Sequence, residues 1–190
     1  VVPVPPSLDV GALRAEAEAL VELNAQRLLR EGRLNPADLH EGAGLDRRQA
    51  LLEEALPGSS FELFTRSCNG THSRFGRSAA ARALQSHPAL LDMVRQLTGA
   101  GDIVLTGAFS LRAKCPNRLG SDQVGASGGV WHQDIAYVLP EAEDSVAVTI
   151  WLPIAARDVT AEMGAMQYER GGHRRAHADG GGTLPPHVGR

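Results

Sequence analysis

His132 and Asp134 stand two residues apart in the run Trp131-His132-Gln133-Asp134. On an extended strand, residues i and i+2 share a face. That spacing sets an imidazole nitrogen beside a carboxylate oxygen and turns Gln133 the other way. Such a pair can hold two cis positions of an octahedral ion. A second histidine from elsewhere would complete a two-His-one-carboxylate set and leave three positions open for co-substrate and O₂. Mixed nitrogen and oxygen donors suit Fe(II) and fit poorly with thiol-seeking metals. The triplet is also compatible with a partly exposed histidine and a turn aspartate at a strand end, so its meaning depends on what surrounds it.

The chain has 190 residues, enough for one domain with a sizeable core and too few for two comfortable ones. A net charge of -3 implies no general attraction to nucleic acid. No apolar run is long enough to cross a bilayer, and the first residues lack the pattern of a signal peptide. The two cysteines, Cys68 and Cys115, form no CxxC pair, which argues against a disulfide scaffold or structural zinc and points to a reducing, cytoplasmic setting.

The first half reads as helical. Ser7 or Asp9 can cap a helix running to about Arg30, with Val10, Leu13, Ala17, Leu20 and Leu28 on one stripe and Gly32 as its stop. A second helix fits Arg47 to Leu56, and a third fits Pro88 to Leu97 with Gly99 beyond its end. Phe61-Glu62-Leu63-Phe64 reads as a short strand by alternation, and Asn69-Gly70-Thr71 as a turn. Ile103 to Lys114, Val130 to Val138, Ser145 to Ile154 and Met166 to Glu169 are strand candidates, and Asn117 to Gly129 reads as a surface loop. Residues 1–100 thus form a helical layer, 101–170 strands, and 171–190 a flexible tail or loop, all within a single α+β, mainly β domain. In the candidate strand before Ile154, Val146, Val148, Ile150 and Leu152 make one apolar face, and Ala147, Thr149 and Trp151 the other. Small residues beside a tryptophan can line a cavity, although Trp151 could equally fill the interior itself.

Several linked segments resemble the phytanoyl-CoA dioxygenase family. They are His87-Pro88 opening a helix that ends at Gly99, Lys114-Cys115-Pro116, Trp131-His132-Gln133-Asp134 with Tyr137 soon after, Val146 to Trp151, and Glu162 to Arg174. The resemblance is densest from His87 to Arg174. It implies a double-stranded β-helix, the jelly roll also found in cupins, with helices packed outside and Fe(II) and 2-oxoglutarate within. It further implies that His132 and Asp134 are iron ligands and that Lys114, Gln133 and Trp151 lie near 2-oxoglutarate or substrate. For Lys114, a solvated edge lysine is an equal reading. The implied activity is hydroxylation of a small organic or acyl substrate coupled to decarboxylation of 2-oxoglutarate by O₂. Related halogenases carry a small residue in place of the aspartate, so Asp134 favours hydroxylation or desaturation.

The chain departs from the family pattern at the third ligand. A late histidine followed by an arginine for the far carboxylate of 2-oxoglutarate is expected. After Asp134 only His173, His177 and His187 remain, none on a convincing strand, and each reads as a loop histidine. The sequence is therefore expected to end before the barrel is complete, and these 190 residues alone to bind Fe(II) weakly. A non-catalytic or truncated jelly-roll module that binds a ligand is the alternative. A cupin-like enzyme independent of 2-oxoglutarate would need more histidines on its strands. Oligomeric state and the identity of the substrate are not encoded in these patterns.

Overall fold

The computed structural model describes residues 3–107, 109–113, 146–155, 159–161 and 165–172. Five α-helices order the first half: α1 (Val10–Arg30), α2 (Leu45–Ala55), α3 (Ser59–Leu63), α4 (Ala79–Gln85) and α5 (Pro88–Thr98). A 3-10 turn (Pro36–Leu39) joins α1 to α2, and a π-turn (Phe64–Cys68) extends α3. Among the described residues, the longest and most central element is α1, which contacts α2, α3 and α4.

The start and end of α1 follow from its sequence. The Asp9 carboxylate accepts a hydrogen bond from the Ala12 amide at 2.8 Å, satisfying one of the orphan donors of the first turn. At the other end, the Gly32 amide donates to the Leu29 carbonyl and the Arg33 amide to that of Leu28. Gly32 adopts φ 68, left-handed backbone that glycine enters without steric cost. Leu13, Ala17, Leu20 and Leu28 are buried as the stripe requires, and Val21, Asn24 and Ala25 widen it. Leu34, Leu39, Leu52, Leu63 and Phe75 close the core around that face.

The strand expected at Phe61 to Phe64 is instead the end of α3 and the start of the π-turn. A strand would put Phe61 and Leu63 on one face. Here Phe61 is 53% exposed and Leu63 is 5% exposed, while Ser59, Ser60 and Leu63 face inward with helical spacing. The helix is favoured by a cap supplied from the last turn of α2, outside the four-residue window. One Glu53 oxygen accepts from the Gly58 amide at 2.7 Å, and the other accepts from the Ser60 amide at 2.7 Å and from the Ser59 hydroxyl. A carboxylate at these unpaired amides also complements the helix dipole. The helix α4 escaped the sequence reading, although Ser78 caps it by accepting from the Ala81 amide.

Helix α5 matches its expected bounds to within a residue, with Pro88 in its first turn and Gly99 at φ 72 after its last. The Asn69-Gly70-Thr71 turn is also found, with Gly70 at φ 83 and the Ser73 amide donating to its carbonyl. Among the described residues, the one β pairing is an antiparallel bridge between Asn69 and Ser110. The expected strands at Ile103–Lys114, Ser145–Ile154 and Met166–Glu169 form no ladder among those residues. The candidate at Val130–Val138, the loop at Asn117–Gly129 and most of 171–190 lie outside them.

Glu62 ties α3 to the far end of α1. It pairs with Arg27 at 2.9 Å, Arg33 at 3.0 Å and Arg66 at 3.1 Å. The Arg33 hydrogen bond, aided by the charge of Arg27, holds the Glu62 carboxyl below its ordinary range. Its stabilisation is therefore complete above the unfolded value of 4.5 and is lost as pH falls through the lowered folded value. Glu62→Gln should give a shallower loss of stability on acidification below that value, measured by urea unfolding at stepped pH; an unchanged slope would remove Glu62 from the account.

Gly76 is required for lack of room. A Cβ there would lie 2.5 Å from the Gly70 carbonyl oxygen and 2.7 Å from that of Thr71, both backbone atoms that cannot rotate aside. Gly76→Ala should lower unfolding free energy by roughly 1–3 kcal/mol, the usual scale of an overpacked site. Gly101→Ala, whose added carbon meets nothing within 4 Å, should change it by less than about 0.5 kcal/mol. Equal urea midpoints for the two variants would contradict this.

Candidate functional site

Two stretches that flank the His132–Asp134 region dock on the helical layer. The first is residues 109–113. Phe109 stacks on Phe75 with ring centroids 5.8 Å apart and planes within 4°. Leu111 packs against the same core, and its amide donates to the Cys68 carbonyl at 3.0 Å. Between them Ser110 is exposed, and Arg112 lies outward with its guanidinium 4.9 Å from the Phe64 ring centre. The burial therefore alternates with the period of two of an extended chain.

The second stretch is 146–155. Leu152 and Ile154 pack against the helical core, which places Trp151 and Pro153 on the other side by alternation. Trp151 is 41% exposed. The expected four-residue apolar face is shorter than its pattern implied: Leu152 packs, but Val146, Val148 and Ile150 are 74%, 38% and 48% exposed. Packing begins where the chain reaches Arg14 on α1. The Arg14 Nε donates to the Ile154 carbonyl at 2.8 Å, and a terminal guanidinium nitrogen donates to the Ala155 carbonyl. Arg14 was not among the residues singled out by sequence, where it is one of many arginines; its place beside the buried stripe of α1 is the signal that could have found it.

His132, Gln133, Asp134 and Lys114 lie outside the described residues, as do His173, His177 and His187. Trp151 is the one predicted site residue whose surroundings are described. Among the described residues, no three His, Cys, Asp or Glu side chains converge as a metal site would require. Cys68 is 1% exposed, and burial pushes its thiol up to about 12, so it is a core residue and not a nucleophile. No helix among the described residues is long and apolar enough to cross a membrane. The docking geometry makes a stability prediction. Leu152→Ala should lower unfolding free energy by roughly 1–3 kcal/mol through lost burial, whereas Trp151→Phe should change it by less than about 0.5 kcal/mol. A larger loss from Trp151→Phe in urea unfolding would show that the packed face is the other one.

A family model described as phytanoyl-CoA dioxygenase matches residues 9–187, nearly the whole chain. No curated protein and no solved structure matches. The matched span contains both docked stretches, the Trp131-His132-Gln133-Asp134 run and all five helices. The chain belongs to the phytanoyl-CoA dioxygenase family, and with it to a group of oxygenases.

Proposed function

We propose that the protein is an Fe(II)- and 2-oxoglutarate-dependent oxygenase that hydroxylates a small organic or acyl substrate. The observation that carries this reading is the family match running through His132 and Asp134, whose spacing is that of two ligands on one strand face. Their donor chemistry fits the ion: one neutral imidazole nitrogen and one carboxylate oxygen suit Fe(II). Lys114, Gln133 and Trp151 are assigned to the surroundings of 2-oxoglutarate and substrate. The overall conversion balances as substrate C–H plus O₂ plus 2-oxoglutarate giving substrate C–OH, succinate and CO₂.

When bound, Fe(II) supplies the activation of O₂. The tasks left to the chain are holding and excluding. Asp134 contributes the single anionic ligand of the pair, and His132 must remain neutral to donate its nitrogen, so binding weakens as acid protonates it. A lysine such as Lys114 can meet a carboxylate as a point charge, and Trp151 offers an apolar wall that keeps water from the reacting C–H bond. The fold proposed for these residues is a jelly roll carried on the helices. The alternating burial at Phe109, Leu111, Leu152 and Ile154 supports it, because in each stretch every second side chain packs on the helical core, as an extended strand would present them.

Anaerobic titration of the full-length protein with Fe(II) and then 2-oxoglutarate tests the reading. The expected result is a weak visible charge-transfer band that saturates in 2-oxoglutarate and is absent in His132→Ala and Asp134→Ala. Retention of the band in both variants would refute the ligand assignment. Its absence from the unaltered protein would favour a ligand-binding module without an iron site.

A further inference from the structure

We propose that Arg14 is a positioning residue that locks the register of the Trp151 segment against α1. The inference rests on the reading above only in giving Trp151 a place beside 2-oxoglutarate. Leu152 and Ile154 dock the segment by apolar contact, and such contact is non-directional. A slip of one residue would keep apolar groups near the core while exchanging Trp151 with Leu152 across the strand. Something directional must forbid that slip, and Arg14 supplies it. Its guanidinium reaches two consecutive carbonyls, those of Ile154 and Ala155, some 140 residues away in sequence. Consecutive carbonyls of a regular strand point to opposite sides, so one planar fork can meet both only where the chain turns out of the strand. The chain does bend at Ala155. The pair of bonds therefore marks one position along the chain, which a slipped register would not present.

The guanidinium stays charged over the whole physiological range, and hydrogen bonds from a charged donor are the stronger kind. Asp9, Glu16 and Glu18 are the acidic residues nearest Arg14 in sequence, and none of the three forms an ion pair with it.

Arg14→Met keeps the aliphatic stem and removes the donors; Arg14→Lys keeps one charged donor group. In the full-length protein, hydrogen exchange of the 146–155 amides should be faster in Arg14→Met than in the unaltered chain, with α1 protection retained. The kcat/KM for 2-oxoglutarate should fall by up to roughly a hundredfold, the scale of a misplacement near one ångström, with a raised KM as part of that loss. Arg14→Lys should fall between. Unchanged exchange over 146–155 in Arg14→Met would overturn the proposal, and so would faster exchange with an unchanged KM. Failure of the unaltered protein to bind 2-oxoglutarate would count against the cofactor reading alone, since the exchange comparison would still decide whether Arg14 holds the segment.

Discussion

Burial of the inner stripe of α1 is the constraint on which the described structure depends. Leu13 and Leu28 are at most 1% exposed, and Leu20 and Val21 are below 5%. Each such side chain contributes roughly 1.5–3 kcal/mol on leaving water, and truncating one to alanine typically costs about 2–5 kcal/mol. The exposed ion pairs at the end of the same helix are worth far less, because water screens them. Hydrophobic burial therefore sets where α2, α3 and α4 lie, and the charge cluster at Glu62 and the carboxylate cap from Glu53 refine how α3 meets them. The surface so formed receives Phe109, Leu111, Leu152 and Ile154, and through them the stretches on either side of the His132–Asp134 run.

That arrangement gives the helical layer a role beyond stability. The iron site proposed above would need its co-substrate groups held in a fixed place relative to the ligand pair. Among the described residues, the helices hold the stretches 109–113 and 146–155 through Phe109, Leu111, Leu152 and Ile154. In the proposed reaction, the helical layer is thus the reference against which Trp151 is placed, and Arg14 is the directional element in that contact.

The elements most readily read from sequence were those whose signals are local. Asp9 before a long apolar stripe, Gly32 after it, Pro88 and Gly99 around α5, and the Gly70 turn each act within a few residues of where they sit. The misread element, Phe61 to Phe64, depends on Glu53 reaching forward to the amides of α3, a contact that alternation in a four-residue window cannot reveal. The overlong apolar face at Val146 to Leu152 failed for a related reason: period two says which residues share a face, and only the partner surface says how many are covered. Arg14 was missed because its partners are backbone carbonyls, which carry no sequence identity; only its place beside the buried stripe of α1 marks it. The proposed iron ligands, His132 and Asp134, are a different case. Their chemistry and spacing are written in the sequence, and the family match runs through them.

The central claim is that His132 and Asp134 make this family member a working iron oxygenase. Its most direct measurement is release of labelled CO₂ from 2-oxoglutarate labelled at the carboxyl beside the keto group, using the full-length protein with and without Fe(II). The account predicts Fe(II)-dependent release that falls to background in Asp134→Ala. Release undiminished in Asp134→Ala, or none from an unaltered protein shown to have bound Fe(II) and 2-oxoglutarate, would contradict it.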